Sequence, residues 1–339
     1  MTTANRRWLL ARRPEGLIDA RCFRWVEEPP PQATREGDVV VRVEFLSIDP
    51  TQRGWIARDT YLPAVPIGDV VRSFGAGRVV ESRNPAFAVG ERVSGLVGWQ
   101  DFALLDGRAA AALTKVPPAV PLPTALGVLG LNGLTAYFGL LEIGRPVAGE
   151  TVVVSGAAGA TGSVAAQIAK LKGCRVIGIA GGRAKCDWLV NEARLDAAVD
   201  YKTESVRARL RDLCPDGVHV FFDNVGGEAL DAALALLAKR GRVVLCGAIA
   251  QYNDAQPPPG PRNYANLIIR SGRMEGFLLS DFRARIPEAI PVLAGWLAEG
   301  KLVARVDVLD GLERAPEALH RLFTGDNVGK QLVRVADGE

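Results

Sequence analysis

Short β-branched runs and apolar stripes of helical period alternate through the middle of the chain. Val152 to Ser155 reads as a buried strand, and from Ser163 the residues Val164, Ile168 and Leu171 keep one apolar helical face until Gly173 stops it. Val176 to Ile179 then completes a βαβ unit. Beyond it, strands are expected at Ala197–Val199, Val218–Phe222, Val243–Cys246 and Met274–Leu279, between helices at 183–193, 204–212, 228–239, 263–271 and 283–298. This alternation predicts an α/β fold with a doubly wound parallel sheet, which binds ligands outside the carboxyl ends of its strands. The first third differs: Asp38–Leu46, Gly75–Glu81 and Glu91–Val97 are short β-like runs separated by Gly, Pro and charged turns, the pattern of a β-rich domain. The apolar stretch 125–144 is as long as a membrane span, but its five glycines and one asparagine favour a buried helix between domains. Proline clusters at 29–31 and 117–123 suggest a surface loop and a domain boundary, and "AQPPPGPR" (255–262) a lid, a subunit contact or a rigid loop.

A length of 339 residues favours two domains, and 48% hydrophobic with 23% charged residues describes an ordinary globular protein. A net charge of +3 with no basic run interleaved with aromatics gives nucleic-acid binding no support. The five cysteines are dispersed and never form C-x-x-C, which points to free thiols in a reducing, cytoplasmic setting and to no zinc cluster. The opening "MTTANRRWLLARRPEG" has too short an apolar core for a signal peptide.

The turn after Val152–Ser155 is the chemically informative one. A glycine-rich strand-to-helix turn lets backbone N–H groups and the helix dipole approach a phosphate. Here Ala157-x-Gly159-x-x-Gly162 is the dinucleotide fingerprint with alanine in its first place, although small residues also serve simple helix-to-sheet packing. After the second strand, Gly181-Gly182-Arg183-Ala184-Lys185 offers cations and no acid before Asp187. That favours the 2′-phosphate of NADP over the 2′-hydroxyl of NAD, the alternative being an ordinary solvated helix start. For catalysis only His219 and His320 are available, one in a predicted strand and one in a helix-like stretch. No G-x-S-x-G elbow and no clustered metal ligands occur. Among Tyr61, Tyr137, Tyr201, Tyr252 and Tyr264, Tyr252 stands out because it follows the carboxyl end of a predicted central strand.

The order "LSIDP" (46–50), "LTAYFGLL" (134–141), "GAAGATGSVAAQIAKLKGC" (156–174), "DYKTE" (200–204), "FFDNVGG" (221–227), "GRVVLCGAIAQYN" (241–253) and "GDNVGKQLVRV" (325–335) resembles the zinc-independent medium-chain dehydrogenase/reductase superfamily. Within it, the resemblance is to prostaglandin reductases/leukotriene dehydrogenases and bacterial alkenal, enone and curcumin reductases. It implies a GroES-like β-rich domain (1–124 and 300–339), a Rossmann NADP(H)-binding domain (125–299) and a homodimer. It further implies pyrophosphate at Gly159, Ala160, Thr161 and Gly162, and adenosine contacts from Lys185 and Tyr201. Thr135, Asn224, Cys246, Gly247, Ala248, Ile249, Tyr252, Phe277, Leu278, Leu279 and Asn327 would line the rest of the cofactor channel, with Tyr252 catalytic and no metal. The implied reaction is hydride transfer from NADPH to the β-carbon of an α,β-unsaturated ketone or aldehyde. Quinone reduction, a pathway-specific natural-product reduction and non-catalytic NADPH binding are the alternatives. Thr51, Gln52 and Asn132 stand where relatives commonly have Tyr, Met and Pro, near the expected substrate entrance, and Gly182 stands for a common serine.

Overall fold

The computed structural model describes residues 4–254, 256 and 258–336. In chain order the strands are β1 (Asn5–Leu10), β2 (Phe23–Glu28), β3 (Val39–Ser47), β4 (Phe74–Ser82), β5 (Arg92–Leu96), β6 (Phe102–Leu105), β7 (Thr114–Lys115), β8 (Thr151–Ser155), β9 (Arg175–Ala180), β10 (Ala197–Asp200), β11 (Val218–Asp223), β12 (Leu237–Leu245), β13 (Arg273–Gly276), β14 (Val306–Asp310) and β15 (Lys330–Arg334). The chain divides into two units, Met1–Leu126 with Val306–Glu339 and Gly127–Arg305.

In the first unit a seven-stranded sheet runs β14-β15-β3-β4-β5-β7, with β6 also paired to β3, beside the hairpin β1-β2. Strand β3 is largely buried, with Val39, Val40, Val41, Val43 and Leu46 at most 1% exposed, although Arg42 and Glu44 interrupt its apolar run. The C-terminal segment returns through β14 and the helix Ala315–Thr324, ended by Gly325 at φ +74°, and β15 then pairs antiparallel with β3.

The second unit holds a six-stranded sheet in the order β10-β9-β8-β11-β12-β13, every pair parallel. Helices Ala160–Leu171, Arg183–Asn191, Val206–Leu213, Gly227–Ala235 and Ile286–Ala298 connect or cover it. The strand order reverses between β8 and β11, which makes their carboxyl ends the topological switch point. This is the two-domain α/β architecture with a β-rich first part and a Rossmann-type sheet.

Three expectations change. The helix expected over 228–239 ends at Ala235, and β12 starts at Leu237, six residues before the expected Val243. Leu237 is buried against Val218, and the register slips between Val218 and Val220 while Arg240 takes φ +59°, so a bulge absorbs residues that looked helical. The strand expected over 274–279 stops at Gly276 and gives way to a 3₁₀ stretch from Leu279. The single helix expected in 125–144 is three pieces: Leu122–Leu126, Leu131–Phe138 and a wider π turn Gly139–Gly144. The break has a cause, since a Cβ on Gly133 would fall 1.8 Å from the Val128 carbonyl oxygen, so the chain before the helix folds back into the space its missing side chain leaves. Among the described residues no helix is long and apolar enough to cross a membrane. The proline-rich stretch 255–262 includes Ala255 and Pro257, which lie outside the described residues; its end is fixed by Arg262 N–H donating to the Asp231 carboxylate at 2.8 Å.

Candidate active site

At the carboxyl end of β8 the chain makes the glycine turn. The tight bend is made by Gly156, at φ +57°, so the alanine at 157 costs nothing: Ala157 is fully buried and the left-handed residue lies one place earlier. Gly159 caps the helix Ala160–Leu171 with extended backbone and no side-chain cap, and the first amides of a helix have no partner within it. A Cβ on Gly162 would lie 2.3 Å from the Gly156 carbonyl oxygen, so this position must be glycine for the helix to approach the turn. The helix start therefore offers N–H donors without intrahelical partners and the positive end of a dipole, as an anion requires.

Two strands across the switch point are tied by side chains. Ser155 Oγ donates to the Asp223 carboxylate at 2.7 Å and accepts the Asn224 N–H at 2.8 Å, and Asn224 Nδ2 donates to the Ser155 carbonyl at 2.7 Å. The same carboxylate accepts the N–H groups of Val225 and Gly226, both at 3.0 Å, an Asx-type turn that the positive φ of Gly226 and Gly227 permits. Burial raises the Asp223 carboxyl above its ordinary range in spite of these donors, which pull it down. Farther on, Cys246 N–H and Gly247 N–H both donate to the Asp223 carbonyl, Ile249 N–H to that of Asn224 and Ala250 N–H to that of Val225. The Tyr252 hydroxyl accepts the Ala248 N–H at 3.2 Å. Thus Asn224, Cys246, Gly247, Ala248, Ile249 and Tyr252 form one cluster, and Gly156 lies against Asn224. Burial pushes the Cys246 thiol up to about 12, so it is protonated at neutral pH and is no nucleophile.

At the end of β9, Gly182 caps the helix Arg183–Asn191 at φ +94°, and its N–H donates to Asp200 at 2.7 Å. The Gly181 position faces the Tyr201 ring, which a Cβ would meet at 2.8 Å. Arg183 extends into solvent at 93% side-chain exposure, while Lys185 is half-buried. The positive φ at Gly182 explains its glycine, since serine there would be strained.

The remaining expected residues are more dispersed. Thr135 donates to the Leu131 carbonyl within its own helix, and Phe277 packs where a Cβ on Gly139 would sit, 2.4 Å from its ring. Leu278 is exposed and Leu279 half-buried. Asn327 belongs to the first unit, where its amide donates to Gly329 O at 3.1 Å. Two of the residues expected near a substrate entrance, Gln52 and Asn132, are buried. Gln52 is 1% exposed with its amide on the Ser47 carbonyl, and Asn132 is 8% exposed and donates to Thr161 Oγ1 at 3.3 Å, bracing the glycine turn. Thr51 Oγ1 and Tyr61 OH are hydrogen-bonded at 2.9 Å. His219 accepts the Thr151 N–H at the amino ends of the strands, opposite the cluster, and His320 bonds the Ile18 carbonyl. Among the described residues no three His, Cys, Asp or Glu side chains are grouped to hold a metal. Ser155 and Asp223 carried no expected role, although an acid followed by Asn-Val-Gly-Gly at a strand end is a readable turn signal.

Comparisons with known proteins agree with this geometry. Residues 6–113 match the N-terminal domain of oxidoreductase, and 160–295 match the family described as zinc-binding dehydrogenase. The chain is 40% identical to the NADPH-dependent curcumin reductase of Escherichia coli (strain K12), covering 98% of this chain and 97% of that one. It is also 40% identical to the NADP(+)-dependent 2-alkenal reductase of Nicotiana tabacum, over 88% of each. The crystal structure of CurA in complex with NADPH from Vibrio vulnificus superposes at a TM-score of 0.92 with 38% identity, covering 98% of this chain and all of that one. The chain therefore belongs to the zinc-independent medium-chain dehydrogenase/reductase superfamily, alongside the curcumin, prostaglandin and alkenal reductases.

Proposed function

We propose that this protein is an NADPH-dependent ene-reductase that saturates the carbon-carbon double bond of α,β-unsaturated ketones and aldehydes without a metal. The observation that carries this is the Tyr252 hydroxyl, held just beyond the carboxyl end of β12 in the hydrogen-bonded cluster that abuts the glycine turn. The turn fits a dinucleotide, because Gly162 lets the helix start approach the Gly156 bend closely, as the glycine fingerprint of such sites requires. In this reading Gly159, Ala160, Thr161 and Gly162 hold pyrophosphate, Lys185 and Tyr201 the adenosine end with its 2′-phosphate, and Thr135, Asn224, Cys246–Ile249, Phe277–Leu279 and Asn327 the remaining channel.

NADPH, when bound, supplies the hydride. The Tyr252 hydroxyl donates to the substrate carbonyl oxygen, where negative charge develops as the β-carbon is reduced. The Ala248 N–H on the phenolic oxygen strengthens that donation by polarising the hydroxyl. Water delivers the proton to the α-carbon, so neither histidine is required. The test is NADPH oxidation, followed by absorbance, with linear enals, aryl enones, cyclic enones and quinones, and NADH as parallel donor. Turnover of enones with NADPH preferred supports the reading; turnover of quinones alone replaces it with a quinone reductase, and tight NADPH binding without any turnover replaces it with a binding role.

The protein is further proposed to be a cytoplasmic homodimer. Its five cysteines are all free, which suits a reducing compartment. The edge strand β13 and the segment leading into it expose Tyr264, Ile268 and Ile269 at 62%, 80% and 66%, a patch that a second copy would cover.

A further inference from the structure

Asp223 has no exposed surface, and its hydrogen-bond donors are all neutral: the Ser155 hydroxyl and two backbone N–H groups. Burying a carboxyl in this way costs stability, and an apolar side chain at the end of a buried strand would pack without that cost. The carboxylate instead fixes the path of residues 224–226. The consecutive carbonyls of Asp223, Asn224 and Val225 receive four of the five amides from Cys246 to Ala250, and the fifth, that of Ala248, is the one on the Tyr252 oxygen. Gly247 adds a steric limit, since a Cβ there would be 3.1 Å from the Asn224 carbonyl and 3.4 Å from the Tyr252 hydroxyl.

We propose that Asp223, oriented by Ser155, is a positioning residue that sets the Tyr252 hydroxyl for the carbonyl oxygen of the substrate, acting through the 223–225 carbonyls and the 246–250 amides. The inference rests on the proposed role of Tyr252. Asp223 touches neither substrate nor cofactor in this scheme, and its effect on kcat is carried by the phenol.

A double-mutant cycle on kcat with an accepted enone tests it, using Asp223→Asn, Tyr252→Phe and the pair, with NADPH affinity followed by fluorescence. Tyr252→Phe is expected to lower kcat about 100-fold and Asp223→Asn about 10-fold or more. Because the two act as a unit, Asp223→Asn in the Tyr252→Phe background is expected to lower kcat less than about threefold further. Multiplicative losses would mean that Asp223 supports the fold generally, and an unchanged kcat in Asp223→Asn would remove it from the mechanism; either overturns the proposal while leaving Tyr252 in place. A Tyr252→Phe enzyme of full activity overturns the role of Tyr252 itself, and this proposal with it. If Asp223→Asn does not fold, the same cycle with Ser155→Ala, which deletes one donor to the carboxylate, decides by the same criterion.

Discussion

Lys330 donates to the Asp49 carboxylate at 2.7 Å and to the Ile48 carbonyl at 2.9 Å, in a pair whose side chains are 3% and 6% exposed. It fastens the returning strand β15 to the end of β3, across 281 residues of sequence. Burial pulls the ammonium's pKa down and the carboxylate pulls it back up. Removing one partner of such a pair strands the other charge in the interior, so Lys330→Met is expected to destabilise the first unit by about 3–5 kcal/mol. Denaturant unfolding checks this, and a change below about 1 kcal/mol would show that Asp49 is satisfied by its other neighbours.

Gly162 carries the geometric demand of the glycine turn, where a Cβ meets backbone rather than a side chain that could swing away. Gly162→Ala is expected to push the helix Ala160–Leu171 off the Gly156 turn, costing about 1–3 kcal/mol of stability. NADPH affinity should fall at least tenfold, read by fluorescence titration. Gly156→Ala, which meets only Asn224 Cβ and Val225 Cγ2 at 3.5 Å but sits at φ +57°, should cost less, mainly through backbone strain.

In the proposed reading, cofactor choice is set beyond β9. If Arg183 and Lys185 hold the 2′-phosphate, Arg183→Ala and Lys185→Ala should each raise KM for NADPH about tenfold, the loss of a charge-assisted contact worth about 1.5 kcal/mol. KM for NADH should change less than twofold. Equal losses with both donors would place these side chains away from the phosphate.

Period and turn chemistry made most of the second unit legible in advance. Val152–Ser155 and Val176–Ile179 are strands, and Gly173 stops the helix between them, because buried parallel strands are continuous apolar runs bounded by glycine. Residues 236–240 misled because the Ala-Leu alternation of 229–237 favours a helix locally, and only the pairing of Leu237 with Val218 overrides it. Asp223 escaped notice for a different reason. Its importance lies in which backbone groups converge on it, and that convergence joins strands 68 residues apart.

The exposed Tyr264, Ile268 and Ile269 beside the edge strand make a prediction about assembly. A twofold contact there buries each apolar side chain twice, once in each subunit. Ile268→Glu with Ile269→Lys should then shift the protein from dimer to monomer in light scattering behind size exclusion, with the far-ultraviolet circular dichroism unchanged. A wild-type monomer at micromolar concentration would end the dimer proposal.

Acid sensitivity should enter through Glu150, ahead of β8. Arg242 on β12 grips it with both terminal nitrogens, one at 2.8 Å, while its Nε and Nη2 reach the carbonyls of Gly144 and Arg145 at 2.9 Å each, closing the π turn onto the sheet. Burial alone would raise the Glu150 carboxyl; the Arg242 guanidinium, the Val147 N–H and the nearby His219 outweigh it and hold it below its ordinary 4.5. A carboxyl with a depressed folded pKa binds fewer protons folded than unfolded near that value. Its contribution is therefore complete above 4.5 and is lost as pH falls through the lower folded value. Glu150→Gln should cost about 2 kcal/mol at pH 7, about 5 °C in Tm. That difference from the wild type should hold between pH 7 and pH 5 and close below about pH 4.5. A gap that persists undiminished to pH 3 would mean that the glutamate acts through packing and not through its charge.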